Sequence, residues 1–337
     1  MSAWGQHAKV QITDMCTPFG TSQYNQAVAL EEVFKRANSW LLWKAQETPG
    51  AMYISRYRSE NYSKILSGEI PQITSHSSAF VIPFIVEGRP PFQKLKNPNY
   101  VAIFSLTPYI NFFVTFDPNI KTLKDLVGKR VGISEKSRPF QSTLPLKPYF
   151  EKGLDIWDKV DWQYLGVSNS KDALLNNKID AHYASTFMGS VTVAADGSYV
   201  ATGLAPGAPD MELMNSGRKM YYIGFDPDVY EKGWDVEKDG PSYPILIKKG
   251  TLPGLDHDIY GKMSAGILCG DSSLPDDVVQ EMIRVRHKYR EELGKYDGTL
   301  KYLPDTPYPI GTPGKWVHPG VKKAMKNLGI PLPGKEQ

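Results

Sequence analysis

The sequence predicts an α/β chain of two domains, each a mostly parallel sheet flanked by helices, and two segments carry most of that expectation. Residues 120–134, IKTLKDLVGKRVGIS, and residues 173–185, ALLNNKIDAHYAS, each read as a helical turn feeding a buried strand that ends in small hydroxyl residues. Open α/β sheets place ligand-contacting groups at such strand ends, so the pattern points to capture of a small molecule. A third observation is spacing, since strand-like and helix-like segments alternate roughly every 30 to 40 residues, as in βαβ units.

The elements follow in order. VQITDM, residues 10–15, reads as the first strand; CTPFGTSQ turns the chain, and YNQAVALEEVFKRAN starts a helix with apolar Val28, Leu30, Val33 and Phe34. AMYISRY, from Ala51, reads as the second strand, NYSKILSGEI as a helix stopping near Gly68, and PQITSHSSAF as a third strand ending in serines. Residues 100–116 are too long for one ordinary strand and contain Pro108, which has no ladder donor, so they read as two strands joined at a crossing between domains. Further strands are expected at KRVGIS, VDWQYL, DAHYA and KMYYIGF, with TGLAPGAPD and GPSYPILIKKGTLPG as loops. YGKMSAGILCG, residues 260–270, reads as a strand returning the chain to the first domain. The clearest helix follows, DSSLPDDVVQEMIRVRHKYREELGKY, then a proline-punctuated tail and HPGVKKAMKNLGI, a short helix ending at Gly329. The expected domains are residues 1–108 with 260–337, and residues 109–259.

At 337 residues, 41% hydrophobic and 12% aromatic, the chain has material for two cores. Its 39 basic and 36 acidic residues leave a net charge of +3 with no block of one sign, which argues against a nucleic-acid partner or a polybasic membrane anchor. The longest apolar runs, such as SAFVIPFIV at residues 78–86, fall short of the roughly 20 residues that span a bilayer. The opening residues show neither a charged n-region nor an apolar h-region, as in a mature exported protein without its leader. Cys16 and Cys269 make no C-x-x-C pair and are expected as buried free thiols. The six histidines follow no H-E-x-x-H spacing, so neither a metal nor a cofactor is expected.

Candidate contact residues cluster at the predicted turns. In TPFGTSQY, Gly20 lets the backbone approach a ligand, Thr21 and Ser22 bring hydroxyls, and the helix start offers free amides to an anion; an ordinary helix-capping turn fits the same residues. Ser75, His76 and Ser77 end the third strand. His76 has no carboxylate at a readable spacing to orient it as a base, so a hydrogen-bonding role is expected and no catalytic residue is assigned. After VGIS, Arg138 could clamp a carboxylate with paired hydrogen bonds, although arginines are mostly plain surface residues. Tyr109, Phe140, Tyr183 and Phe187 could wall a pocket, and aromatic residues at such places also serve as core.

Together these segments resemble the solute-binding proteins of TRAP transporters of the TAXI family. The resemblance rests on FGTSQYNQAVAL, SGEIPQITSHSSA, IKTLKDLVGKRVGIS, LLNNKIDAHY, KKGTLPG and WVHPGVKKAMKNLG, and it covers nearly the whole chain. It implies a two-lobed, periplasmic-binding-protein fold of type II-like form, with a cleft between lobes that shuts by hinge closure on a small organic acid. The membrane subunits of an ion-driven importer would then receive it. By position it implies ligand contacts from Gly20, Thr21, Ser22 and Tyr24, from Ser75, His76 and Ser77, from Tyr109, from Ser137, Arg138 and Phe140, and from Tyr183, Ser185 and Thr186. Where the family has small glycine-rich turns this chain has TPFGTSQ and SRPF, which suggests a monocarboxylate with an apolar or aromatic body. The competing readings are a binding protein of an ABC importer, which shares the lobed architecture, and an enzyme on the same fold such as a thiamine-pyrimidine synthase, whose cysteine cluster this chain lacks.

Overall fold

Strand β1 (Val10–Cys16) lies between β2 (Leu41–Glu47) and β3 (Gln72–Ser78), parallel to both, in a computed structural model that describes residues 8–19, 21–193 and 199–332. Helix α1 (Ser22–Arg36) links β1 to β2 and turns Leu30, Val33 and Phe34 inward, while Val28 is left exposed. Phe34 stacks on Trp43 of β2 at 4.4 Å, tying helix to sheet.

Two of the expected elements change here. AMYISRY is not a strand but part of α2 (Ala51–Glu60), and the second strand is LLWKAQE, which was not anticipated. Burial gives the reason: Ile54 and Arg58 are buried four residues apart with Met52 and Tyr53 exposed, a helical face, whereas β2 buries Leu41 and Trp43 and exposes Leu42 and Lys44, a period of two. Helix α3 (Tyr62–Ser67) stops at Gly68, whose φ of 74° is the left-handed cap that glycine adopts without strain. After β3 comes α4 (Ile82–Glu87).

Strand β4 (Tyr100–Thr115) is one continuous strand, not the expected two. The chain divides into two compact units, Met1–Thr107 with Ala265–Gln337, and Pro108–Ser264, so the division falls at Pro108 inside β4. Pro108 lies just before the ladder to β7, which begins at Tyr109 opposite Phe187, so its missing amide hydrogen takes nothing from that ladder.

The second unit contains β5 (Arg130–Ile133), α5 (Thr143–Pro148), β6 (Asp161–Tyr164), α6 (Val167–Leu175), β7 (Ala181–Val193), β8 (Tyr199–Pro206), α7 (Ala208–Met214) and β9 (Tyr221–Ile223). Helices α8 (Pro227–Gly233) and α9 (Val236–Asp239), then β10 (Tyr243–Ile247) and β11 (Ile259–Asp271), complete it. Strand β5 runs parallel to β6 and β7, and β10 parallel to β8, but β4–β7, β4–β9, β7–β8 and β10–β11 are antiparallel. The α/β class is as expected, yet this sheet is mixed. Part of the cause is local: TGLAP and YPILI, expected as loops, are strands that pair back on their neighbours. Its core packs Phe113, Phe150, Tyr149 and Phe225 ring against ring, with Phe150 5.7 Å from both Phe113 and Tyr149.

Strand β11 passes from one unit to the other between Ser264 and Ala265, and its later part pairs antiparallel with β3, Cys269 opposite Ser75. The expected long helix is two, α10 (Asp276–Lys288) and α11 (Arg290–Tyr296), followed after the proline-rich tail by α12 (Pro319–Leu328). Helix α10 buries Val278, Val279, Met282 and Val285 against the first unit's core. His318 caps α12 by accepting from Gly320 N. Cys16 and Cys269 are buried free thiols, the expected state, and burial pushes each thiol up to about 12.

Candidate functional site

In the first unit the parallel register sets Asp14 opposite Thr74 and Met15 opposite Ser75. Asp14 Oδ1 accepts from Thr74 Oγ1 at 3.0 Å, and His76 Nε2 lies 2.8 Å from Asp14 Oδ2, all three side chains being buried. A carboxylate oxygen accepts, so Nε2 is the donor of this pair. Nδ1 has no hydrogen-bond partner among the described residues. Asp14 is thus the orienting carboxylate that local spacing could not reveal; it comes from the neighbouring strand, 62 residues away.

The pleat separates the three predicted residues of β3. His76 shares a face with Thr74, while Ser75 and Ser77 point to the other. Ser75 Oγ is engaged with Tyr100 Oη at 3.3 Å, and Tyr100 lies beneath the Arg58 guanidinium, 5.3 Å from ring centroid to Cζ. Arg58 donates to Ile73 O and stands 3.8 Å from Asp271, so Ser75 belongs to a buried structural network.

At the start of α1, Thr21 is the N-cap: its hydroxyl donates to Pro18 O, accepts from Tyr24 N at 3.3 Å and meets Thr17 Oγ1 at 2.6 Å. Ser22 is exposed. Tyr24 is half-buried and meets the exposed Phe19 edge to face, ring centroids 5.3 Å apart. Gly20, the other predicted residue of this turn, lies outside the described residues.

In the second unit the β4–β7 register groups three of the predicted residues. Tyr109, Asn111 and Phe113 stand opposite Phe187, Ser185 and Tyr183, which puts Tyr109, Tyr183 and Ser185 on one face; Thr186, opposite Ile110, is on the other. Asn111 was missed by sequence reasoning; its Nδ2 donates to Ala184 O at 3.1 Å. Tyr183 Oη is buried with no hydrogen-bond partner among the described residues, and burial, then Tyr109, hold its phenol well above the usual range. Asp210 of α7 fixes the strand from behind: Oδ2 accepts from Ser185 N at 3.1 Å, and Oδ1 is 3.4 Å from His182 Nε2.

Strand β5 pairs with β7 at two positions, Val131 with Ala181 and Gly132 with His182, and a loop follows Ile133. That loop carries Ser137 and Arg138, both exposed, and half-buried Phe140. Arg138 Nε stays 3.9 Å from Glu135 Oε2, a loose surface pair, so its guanidinium is not committed to a bidentate partner. Glu135 is held below the ordinary carboxylate range by its own backbone amide, by Ser134 and by Arg138. No group of three or more His, Cys, Asp or Glu among the described residues is placed to hold a metal ion, and no helix among them is long and apolar enough to cross a membrane.

Residues 100–205, less than half of the chain, match the family described as NMT1/THI5 like. No curated protein matches the chain. Among solved structures, a TctC solute-binding protein from Polaromonas is similar at 11% identity over 94% of this chain and 88% of that one, with a TM-score of 0.47. The periplasmic sulfonate-binding protein SsuA of a putative sulfonate ABC transporter from Methylobacillus flagellatus KT is similar at 11% identity over 96% of each chain, with a TM-score of 0.48.

Proposed function

We propose that this chain is an extracytoplasmic solute-binding receptor of a TRAP importer of the TAXI type, which captures a small organic acid and hands it to membrane subunits. The observation that carries the reading is the connectivity: two α/β units, each with its own core, are joined through two continuous strands, β4 and β11, and each unit holds polar or aromatic groups at its strand ends. Two covalent crossings leave a motion about the crossing strands as the natural response to a ligand, and a ligand that prefers one arrangement shifts the population toward it.

Arg138, exposed and only loosely paired, is the group best suited to a carboxylate, and the rings of Tyr109 and Phe140 suit an apolar or aromatic body, whereas Tyr183 packs into the second unit's core against Phe113. A receptor of an ABC importer is the second reading. The match of residues 100–205 to the NMT1/THI5-like family, which is not the TAXI family, keeps this reading beside the first.

The test is a thermal-shift panel of monocarboxylates, dicarboxylates, amino acids and sulfonates, followed by small-angle scattering with the strongest stabiliser. A selective rise in Tm with an aryl or alkyl monocarboxylate, together with a smaller radius of gyration, supports the reading. A response confined to glutamate-like acids or sulfonates refutes the ligand class, and turnover of any panel member refutes the receptor.

A further inference from the structure

Arg286 of α10 is wholly buried, the largest such side chain among the described residues. Its Nη2 donates to Pro304 O at 2.8 Å and to Ser105 O at 3.3 Å, while Nε and Nη1 have no hydrogen-bond partner among the described residues. Among the described residues no carboxylate pairs with it. The charged group acting on it is Arg290, also positive, and Arg290 is itself paired with Asp305. The other acid of α10 nearest in sequence, Glu281, is committed to Arg284 and Ser39.

Burial, and secondarily Arg290, lower the guanidinium to about 9, which still leaves it charged at neutral pH. A buried charge opposed, among the described residues, by two carbonyl dipoles is costly, because desolvation is not offset by a counter-charge. Native proteins rarely leave such donors unmade, and an ion or water is the usual explanation. Water would satisfy the donors without neutralising the charge, whereas an anion does both.

The chain around Arg286 is built to close over it. Ser105 N donates to Pro307 O, Ser105 Oγ donates to Tyr308 O and accepts from Ile310 N, and Pro304 O takes the guanidinium itself. The segment from Pro304 to Ile310 is thus pinned across β4 directly over the arginine. Full burial favours a small guest over a metabolite.

We propose that Arg286 holds a small inorganic monoanion of the halide class inside the first unit, a site independent of solute capture that fastens the Pro304–Ile310 segment to β4.

Bromide is the probe. Crystals of the full chain grown in bromide should show an anomalous peak within hydrogen-bonding distance of Arg286 Nε or Nη1. In gluconate at constant ionic strength, added bromide should raise the Tm of the wild type saturably by about 2–4 °C, and Arg286→Met should melt at a temperature indifferent to bromide. A bromide peak on the guanidinium supports the site even if Arg286→Met does not fold. Absence of anomalous density at Arg286, or a wild-type Tm that bromide leaves flat, overturns it.

Discussion

His76 Nε2 donates to Asp14 Oδ2 across 2.8 Å, joining neighbouring strands of the first unit through two buried side chains. The same carboxylate takes the Thr74 hydroxyl on its other oxygen, so one aspartate fixes both the register-facing threonine and the imidazole. Removing it leaves two buried donors without an acceptor. Asp14→Ala should therefore cost about 2–4 kcal/mol in urea unfolding. A double-mutant cycle with His76→Ala should give a coupling of about 1–3 kcal/mol; additivity within about 0.5 kcal/mol would show that the pair is a bystander.

Arg138 sits on an exposed loop, paired at 3.9 Å with Glu135. Arg138→Ala should leave Tm unchanged and weaken a carboxylate ligand about 10- to 100-fold in calorimetric titration, the scale of a charge-assisted hydrogen bond. Undiminished affinity in a folded variant would remove Arg138 from the ligand's contacts.

Lys262 is buried over the Trp234 ring at 4.0 Å, with Nζ donating to Ser242 Oγ at 2.7 Å. Burial lowers its ammonium from 10.5 to about 7, partly offset by Asp239. Between those values the unfolded chain binds more protons than the native one, so this group's contribution to stability rises with pH from about 7 towards 10.5 and is lost as pH falls through about 7. Urea unfolding of wild type and Lys262→Met at a series of pH values isolates the effect: the wild type should gain on the variant by up to about 1.4 kcal/mol per pH unit in that window. A constant difference would mean that the lysine titrates normally.

Gly224 tests a close backbone approach. A Cβ there would lie 2.7 Å from Tyr260 O and 2.9 Å from Tyr260 N, main-chain atoms of β11 that cannot swing aside, next to the Phe225 N to Tyr260 O bond. Gly224→Ala should cost about 1–3 kcal/mol, read as a fall in the urea midpoint at unchanged m. At Gly132 the obstacles are side-chain atoms of Ile179 and Ser170, so Gly132→Ala should cost less. The reverse order would mean that β11 yields more readily than these side chains.

The local sequence was enough for the elements whose burial has one clear period. The helical stripe ending in Leu30, Val33 and Phe34 specifies its own conformation, and Gly68 and Gly329 mark helix ends through a backbone shape that other residues resist. AMYISRY misled because tyrosine, isoleucine and methionine suit either state, and only packing of Ile54 and Arg58 on one side decided for helix. LLWKAQE and TGLAP became strands because partners waited beside them, β1 for one and β7 for the other.

For the candidate site, the chain alone identified which short stretches carry hydroxyls, rings and Arg138. It could not say which of them share a face. That was decided by strand register, which sets Tyr109, Asn111, Ser185 and Tyr183 together and turns Thr186 away, and by neighbours distant in sequence, such as Asp14 for His76 and Asp210 for Ser185. Local propensity acts over a few residues, whereas hydrogen bonds between strands and burial of charge are settled only when remote segments meet; Arg286, an unremarkable arginine in a helical sequence, became a buried unpaired charge for that reason.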